Sequence, residues 1–197
     1  MNIHRTFLPV TIVTLLVIQG CSSDETPSSA SPPPADTPAP ATSQPATGPK
    51  ASAVLEAKSG STVTGLVEIY ENDDGTITFR AEVNNASPGP HAIHIHEAGD
   101  CSADDGTSAG GHWNPTEQPH GPAEGPHHMG DLGNIEVDAT GHGIHKVLLS
   151  DVNLIPGDVM SCLGKAVIMH EKVDDFTTQP TGAAGARIAC GVIRLNQ

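Results

Sequence analysis

DGTITFRAEV, running from Asp74 to Val83, is the stretch whose reading decides the fold class. Asp74-Gly75 is a hairpin turn signal, because glycine tolerates the positive φ that two-residue turns require. Behind it Ile77, Phe79, Ala81 and Val83 alternate with Thr78, Arg80 and Glu82. A period of two is that of a strand with one face buried. Upstream, Ala53–Tyr70 carries Val54, Leu55, Val63, Leu66, Val67, Ile69 and Tyr70 with a break at Gly60, which reads as a hairpin or two short strands. Downstream, His91–His96, Gly133–Asp138, Gly143–Leu149, Ala166–His170 and Arg187–Leu195 are further strand candidates. Two stretches, Glu97–Leu132 and Glu171–Ala186, are too long and too glycine-rich for strands and read as functional loops. No segment carries a helical stripe of adequate length. With 3% aromatics, 21 glycines and 17 prolines, the chain suits short strands and turns. The expectation is an all-β, antiparallel sandwich or flattened barrel of seven or eight strands.

The two ends of the chain differ in kind. Residues 1–21 read as an export signal. His4 and Arg5 are followed by an apolar run from Phe7 to Ile18, broken by Pro9 and two threonines and ending in Ile18-Gln19-Gly20-Cys21. A small residue before a cysteine, behind a short apolar run, resembles the lipobox of bacterial lipoproteins. That makes Cys21 the lipidated first residue of the mature chain, anchored to the cell envelope on a periplasmic face or at the cell surface. Residues 22–50 are serine, threonine, alanine and proline, a composition with too little apolar bulk to fold, and read as a disordered tether. The folded domain is then 51–197. The formal net charge of −14 argues against nucleic acid as a partner, and contact with a membrane is expected through the lipid alone.

Of four cysteines, Cys21 is assigned to lipid. In an oxidising compartment Cys101 and Cys190 are the natural disulfide. Cys162, among Val159, Met160 and Leu163, is expected to be a buried and inert thiol.

Histidine is the over-represented ionisable residue, with 11 in the chain, and all but His4 lie from His91 to His170. His94 and His96 flank Ile95 on a predicted strand, so both imidazoles share one face and can meet one metal. His112, His120 and His128 follow at intervals of eight residues, with Asp131 three beyond, and His170 ends the apolar run AVIMH. Six imidazoles exceed a four-coordinate zinc site, so two metals are the economical reading. Imidazole-rich sites suit copper or zinc.

Six ordered strings, GPHAIHIHEAGDC (89–101), SAGGHWNP (108–115), HGP (120–122), HHMGDLGN (127–134), HEKVDD (170–175) and GARIACGVI (185–193), resemble the copper–zinc superoxide dismutases over essentially all of 51–197. The resemblance implies an eight-stranded Greek-key barrel. It implies one copper ion, held by His94, His96, His112 and His170, and one zinc ion, held by His112, His120, His128 and Asp131, with His112 bridging. Asp174 matches the carboxylate that supports one ligand of each metal, His94 and His120. Arg187 matches the arginine that draws in the anion, with superoxide as substrate, and His112 matches the imidazole that carries a proton. The subunit interface varies within the family, so a homodimer is allowed and not required. The loop 171–186 holds a single lysine, Lys172, which leaves steering to Arg187 or to positive groups elsewhere. A noncatalytic envelope protein that binds copper and zinc would use the same histidines, but has no need of Arg187 or Asp174.

Other residues take plainer roles. His127 yields to His128 as ligand, His91 is structural, Trp113 packs under the loop, and His142 and His145 are expected to be exposed. Asp100, Asp104 and Asp105 read as a solvated loop.

Overall fold

Ile77, Phe79, Ala81 and Val83 all point inward and are at most 1% exposed, on a strand that runs from Ile77 to Asn84. The computed structural model describes Gly48 and residues 50–197. The expected signal, lipidated Cys21 and most of the tether therefore lie outside the described residues. Nine strands are present among the described residues: β1 Ala51–Ala57, β2 Thr64–Glu71, β3 Ile77–Asn84, β4 Gly89–His96, β5 Asp131–Val137, β6 Gly143–Leu149, β7 Ala166–His170, β8 Arg187–Val192 and β9 Arg194–Leu195.

The first eight close into an antiparallel barrel in the order β1-β2-β3-β6-β5-β4-β7-β8, with β8 and β2 both pairing β1. Closure leaves no long free edge. The chain skips two strands between β3 and β4, and two more between β6 and β7, the crossings of a Greek key. The single strand expected over Arg187–Leu195 is in fact two, because Ile193 leaves the ladder and is buried. β9 continues alone against Ala51 and Ser52. β4 begins at Gly89 and β5 at Asp131, each two residues earlier than the alternation suggested.

The core is aliphatic. Leu55, Ile69, Ile93, Ile95, Ile135, Val167 and Met169 pack around Phe79, with Trp113 and Cys162 in the same cluster. Two ladder irregularities interrupt this regular pairing: one in β4 between Ala92 and His94 against β5, one in β7 between Met169 and His170 against β8. Bulges of this kind re-aim side chains at the rim of a barrel. In this barrel they fall beside His94 and His170.

Candidate metal centre

His94 and His96 leave β4 beside β7, which delivers His170, while the loop after β4 brings back His112 to form an isolated bridge with His96. The bridge fixes where the long loop returns. Trp113 N–H donates to the Ile95 carbonyl at 2.9 Å, and Gly130 N–H donates to the Trp113 carbonyl at 3.0 Å. A side chain on Gly130 would strike the Ile95 carbonyl and, at 3.1 Å, Trp113 N, so only glycine lets the loop lie this close.

The histidines converge into two groups with one member in common. His94, His96, His112 and His170 can each offer a donor atom within 4.8 Å of the others, and so can His112, His120, His128 and Asp131. All seven residues are buried, the most exposed being His112 at 8%. In the first group one ring nitrogen of each histidine is held. His94 Nε2 meets Asp174 Oδ2 at 2.9 Å, His96 Nδ1 meets the Gly110 carbonyl at 3.0 Å, His112 Nδ1 meets Asp131 Oδ1 at 2.8 Å and His170 Nδ1 meets the Gly185 carbonyl at 3.4 Å. For His94, His96 and His170 the partner is an acceptor, so in the neutral ring the held nitrogen carries the proton; His112 Nδ1 instead faces the second group. The opposite atoms, His94 Nδ1, His96 Nε2, His112 Nε2 and His170 Nε2, are buried without a hydrogen-bond partner in the protein.

Four bare lone pairs facing one another are costly unless a cation sits among them. Protonation does not remove the conflict. Burial pushes His94 far below the ordinary histidine range, His96 down to about 2 and His170 down to about 4. The donor set is neutral imidazole, which suits copper or zinc.

The second group is organised around one oxygen. Asp131 Oδ1 lies 2.8 Å from His112 Nδ1, 3.0 Å from His120 Nδ1 and 3.2 Å from His128 Nδ1. His120 Nδ1 nevertheless has no aligned hydrogen bond, so the short distances are donors crowding one point. Four atoms about 2.0–2.1 Å from a common centre form a tetrahedron with edges of about 3.3 Å, close to the spacings seen. Burial raises the Asp131 carboxyl, but hydrogen bonds from His112 and the His128 backbone outweigh it and hold Asp131 well below its usual range. It stays an anion in the site.

Asp174 lies behind both groups. Its Oδ2 accepts from His94 Nε2 at 2.9 Å and its Oδ1 from His120 Nε2 at 2.8 Å. For His120, burial lowers the basicity, and the hydrogen bond to Asp174 with the charge of Asp131 overturns that into a net rise. Arg187 opens β8 opposite His170. It donates from Nη1 to the Gly106 carbonyl at 2.8 Å and from Nη2 to the Gly110 carbonyl at 2.7 Å. Burial lowers its basicity, yet a guanidinium stays charged at any ordinary pH. Cys101 and Cys190 are joined, 89 residues apart, tying the loop that carries Gly106 and Gly110 to β8.

The family described as copper/zinc superoxide dismutase (SODC) matches the chain over residues 63–193. The chain belongs to the copper/zinc superoxide dismutase family. Among its relatives, superoxide dismutase-like protein YojM of Bacillus subtilis is 35% identical over 98% of this chain and 97% of its own length. Superoxide dismutase [Cu-Zn] A of Xenopus laevis is 36% identical over 73% of this chain and 96% of its own. The clock protein EA4 superimposes with a TM-score of 0.67 at 33% identity, covering 76% of this chain and 97% of EA4. A double mutant of the SOD-like protein from Bacillus subtilis superimposes at 0.62 with 40% identity, covering 72% of this chain and 95% of that one. As a copper/zinc superoxide dismutase family member, the chain presents two groups that can hold one copper and one zinc ion.

Outside these groups two histidines, His142 and His145, differ from the sequence reading. His145 is half-buried, with Nε2 2.7 Å from the Leu132 carbonyl, and burial lowers its basicity. His142 is also half-buried and lies 3.2 Å from Glu82. Neither is freely exposed: His145 lies opposite Ala81 of β3, and His142, just before β6, reaches Glu82. His91 is buried; Nδ1 lies 2.9 Å from the His170 carbonyl and Nε2 3.0 Å from Ser87 Oγ. His127 turns away, to the Gly125 carbonyl. Cys162 is buried, which pushes its thiol up to about 12. Sequence reasoning misses Asn134 and Gln179. Each hydrogen-bonds the backbone of a site residue, and a neutral amide in a polar loop gives no sequence signal of that.

Proposed function

We propose that the chain disproportionates superoxide to oxygen and hydrogen peroxide, with a copper ion in the His94, His96, His112, His170 group and a zinc ion in the His112, His120, His128, Asp131 group. The single observation that carries this is the set of four buried imidazole nitrogens without partners beside Arg187. When bound, copper would supply one-electron chemistry, the oxidation of one superoxide and the reduction of a second, whereas zinc would have no redox role.

The residues of the chain do the rest. Arg187 supplies local positive charge in a protein of net charge −14, so it attracts a small anion that the overall field repels. Its guanidinium is held by two carbonyls and so faces the site in one orientation. Peroxide formation consumes two protons. His112 Nε2, buried and without a partner in the protein, would hold one of them whenever it does not serve as a metal donor. Asp174 keeps His94 and His120 in their ring orientations.

The same reading carries export and anchoring through Cys21 to the cell envelope, with the rest of the chain up to about residue 50 as tether. The Cys101–Cys190 disulfide supports it, since such bonds persist in oxidising compartments. The test of function is stopped-flow decay of superoxide by the metal-loaded chain. Second-order decay of ~10⁸ M⁻¹s⁻¹ or faster is the expected result. Decay no faster than free-metal controls, with both metals bound, would make the chain a noncatalytic copper- and zinc-binding protein.

A further inference from the structure

His120 is gripped from two directions by the loop after β7. Asp174 takes its ring at Nε2. Gln179 takes its backbone: His120 N–H donates to Gln179 Oε1 at 2.9 Å, and Gln179 Nε2 donates to the His120 carbonyl at 2.8 Å. The two residues are 59 apart in sequence, so one amide side chain links the two long loops through a two-way hydrogen bond. Asp174 is clasped in the same manner, by Asn134: its N–H donates to Asn134 Oδ1 at 2.7 Å, and its carbonyl accepts from Asn134 Nδ2 at 3.1 Å. The turn that carries Gln179 also closes over the Asp174–His120 contact. A side chain on Gly182 (φ +64°) would collide with Asp174 Oδ1 and, at 2.6 Å, with His120 Nε2.

The geometry points to Gln179 as a positioning residue for the zinc group, one that fixes the main chain of His120 while Asp174 fixes its ring, so that the metal in that group is retained. This rests on the metal assignment proposed above. The backbone around His120 is otherwise a glycine- and proline-rich loop, with Pro119 and Gly121 as its neighbours. Pro119 lacks an N–H, and Gly121 N–H is already spent on Asp131 Oδ2 at 3.2 Å, so Gln179 is the residue that holds the N–H and carbonyl of His120 itself. Without the clasp, His120 keeps its partner Asp174 but gains freedom to lift its Nδ1 from the group. Partners of this kind typically change metal affinity by about 10- to 100-fold.

The experiment compares the full copper- and zinc-loaded chain with Gln179→Ala and with Thr178→Ala. Thr178 Oγ1 bonds Asp175 in the same exposed loop and does not touch His120. Zinc release to a chromogenic chelator, copper release and the melting temperature of the metal-free form are read in each. Cobalt(II) placed in the zinc group reports ligand geometry through its visible bands. The expected result is zinc release about tenfold faster or more in Gln179→Ala, a shifted cobalt spectrum, and copper release and metal-free melting as in the parent. Zinc release unchanged in Gln179→Ala overturns the inference alone. Equal acceleration in Thr178→Ala also overturns it, because general loop tightness would then be the cause. A parent chain that takes up no zinc overturns it together with the metal assignment.

Discussion

Arg187 and His96 share one acceptor, the carbonyl oxygen of Gly110, at 2.7 Å from Arg187 Nη2 and 3.0 Å from His96 Nδ1. The guanidinium proposed to attract the anion and a residue of the first metal group are thus set by a single peptide unit. Gly110 adopts φ 75°, and a side chain there would run into Glu97 at 2.6 Å, so glycine is what lets that carbonyl face both.

Replacing Arg187 by alanine removes the positive charge but leaves every metal-group side chain. The expected outcome is a fall of about tenfold or more in the second-order rate at low ionic strength, with a flatter salt dependence. Copper content by elemental analysis should equal that of the parent. Unchanged kinetics at low salt would remove Arg187 from the mechanism.

Asp174→Ala leaves His94 Nε2 and His120 Nε2 buried without acceptors, at a cost of about 1–3 kcal/mol for each unsatisfied group. Because Asp174 supports one ring in each group, both metals should be held more weakly, in contrast to the zinc-only effect of Gln179→Ala. Chelator competition for copper and zinc separately reads the difference.

The metal-free protein should lose stability as pH falls from 7 to 5. His96 and His170 are depressed by burial, to about 2 and about 4. The unfolded chain takes up protons near the ordinary value of about 6.5 while the folded chain does not. Their contribution is therefore whole above about pH 6.5 and declines below it, until about pH 4 for His170 and lower for His96. The slope approaches about 1.4 kcal/mol per pH unit for each group. Calorimetry of the metal-free chain at pH 7 and 5 should show a lower melting temperature at pH 5, and a flat profile would contradict the assignment.

Cutting the disulfide by replacing Cys101 and Cys190 with serine frees a loop closed over 89 residues, a loss of about 4–5 kcal/mol by chain entropy. It also unties the segment that presents Gly106 and Gly110 to Arg187. Denaturant midpoints and superoxide decay should both fall. Cys162, whose thiol burial raises to about 12, should resist a thiol reagent in the folded chain and react once unfolded.

Much of this molecule is legible along the chain. The eight-stranded barrel follows from the family resemblance of six ordered strings. The alternation of Ile77 to Val83 gives a half-buried strand, and the order of histidines places His94 with His96 and His128 near Asp131. Those signals are local, with periods of two or three residues. What stays hidden is carried by contacts far apart in sequence and by groups without charge. Gln179 reaches His120 across 59 residues, and Asn134 reaches Asp174 across 40. The break at Ile193 is hidden for another reason: an apolar run looks the same whether it stays in one ladder or leaves it for the core.

His112 belongs to both groups of donors, and Asp174 supports a ring in each. Two binding equilibria that share side chains are thermodynamically linked, and linkage is reciprocal. Whatever factor zinc adds to the affinity for copper, by orienting His112 and drawing Asp174 into place, copper must return to zinc. The half-loaded chain is thus a distinct species with its own affinities, and the order in which the ions arrive sets which of two such species the cell accumulates.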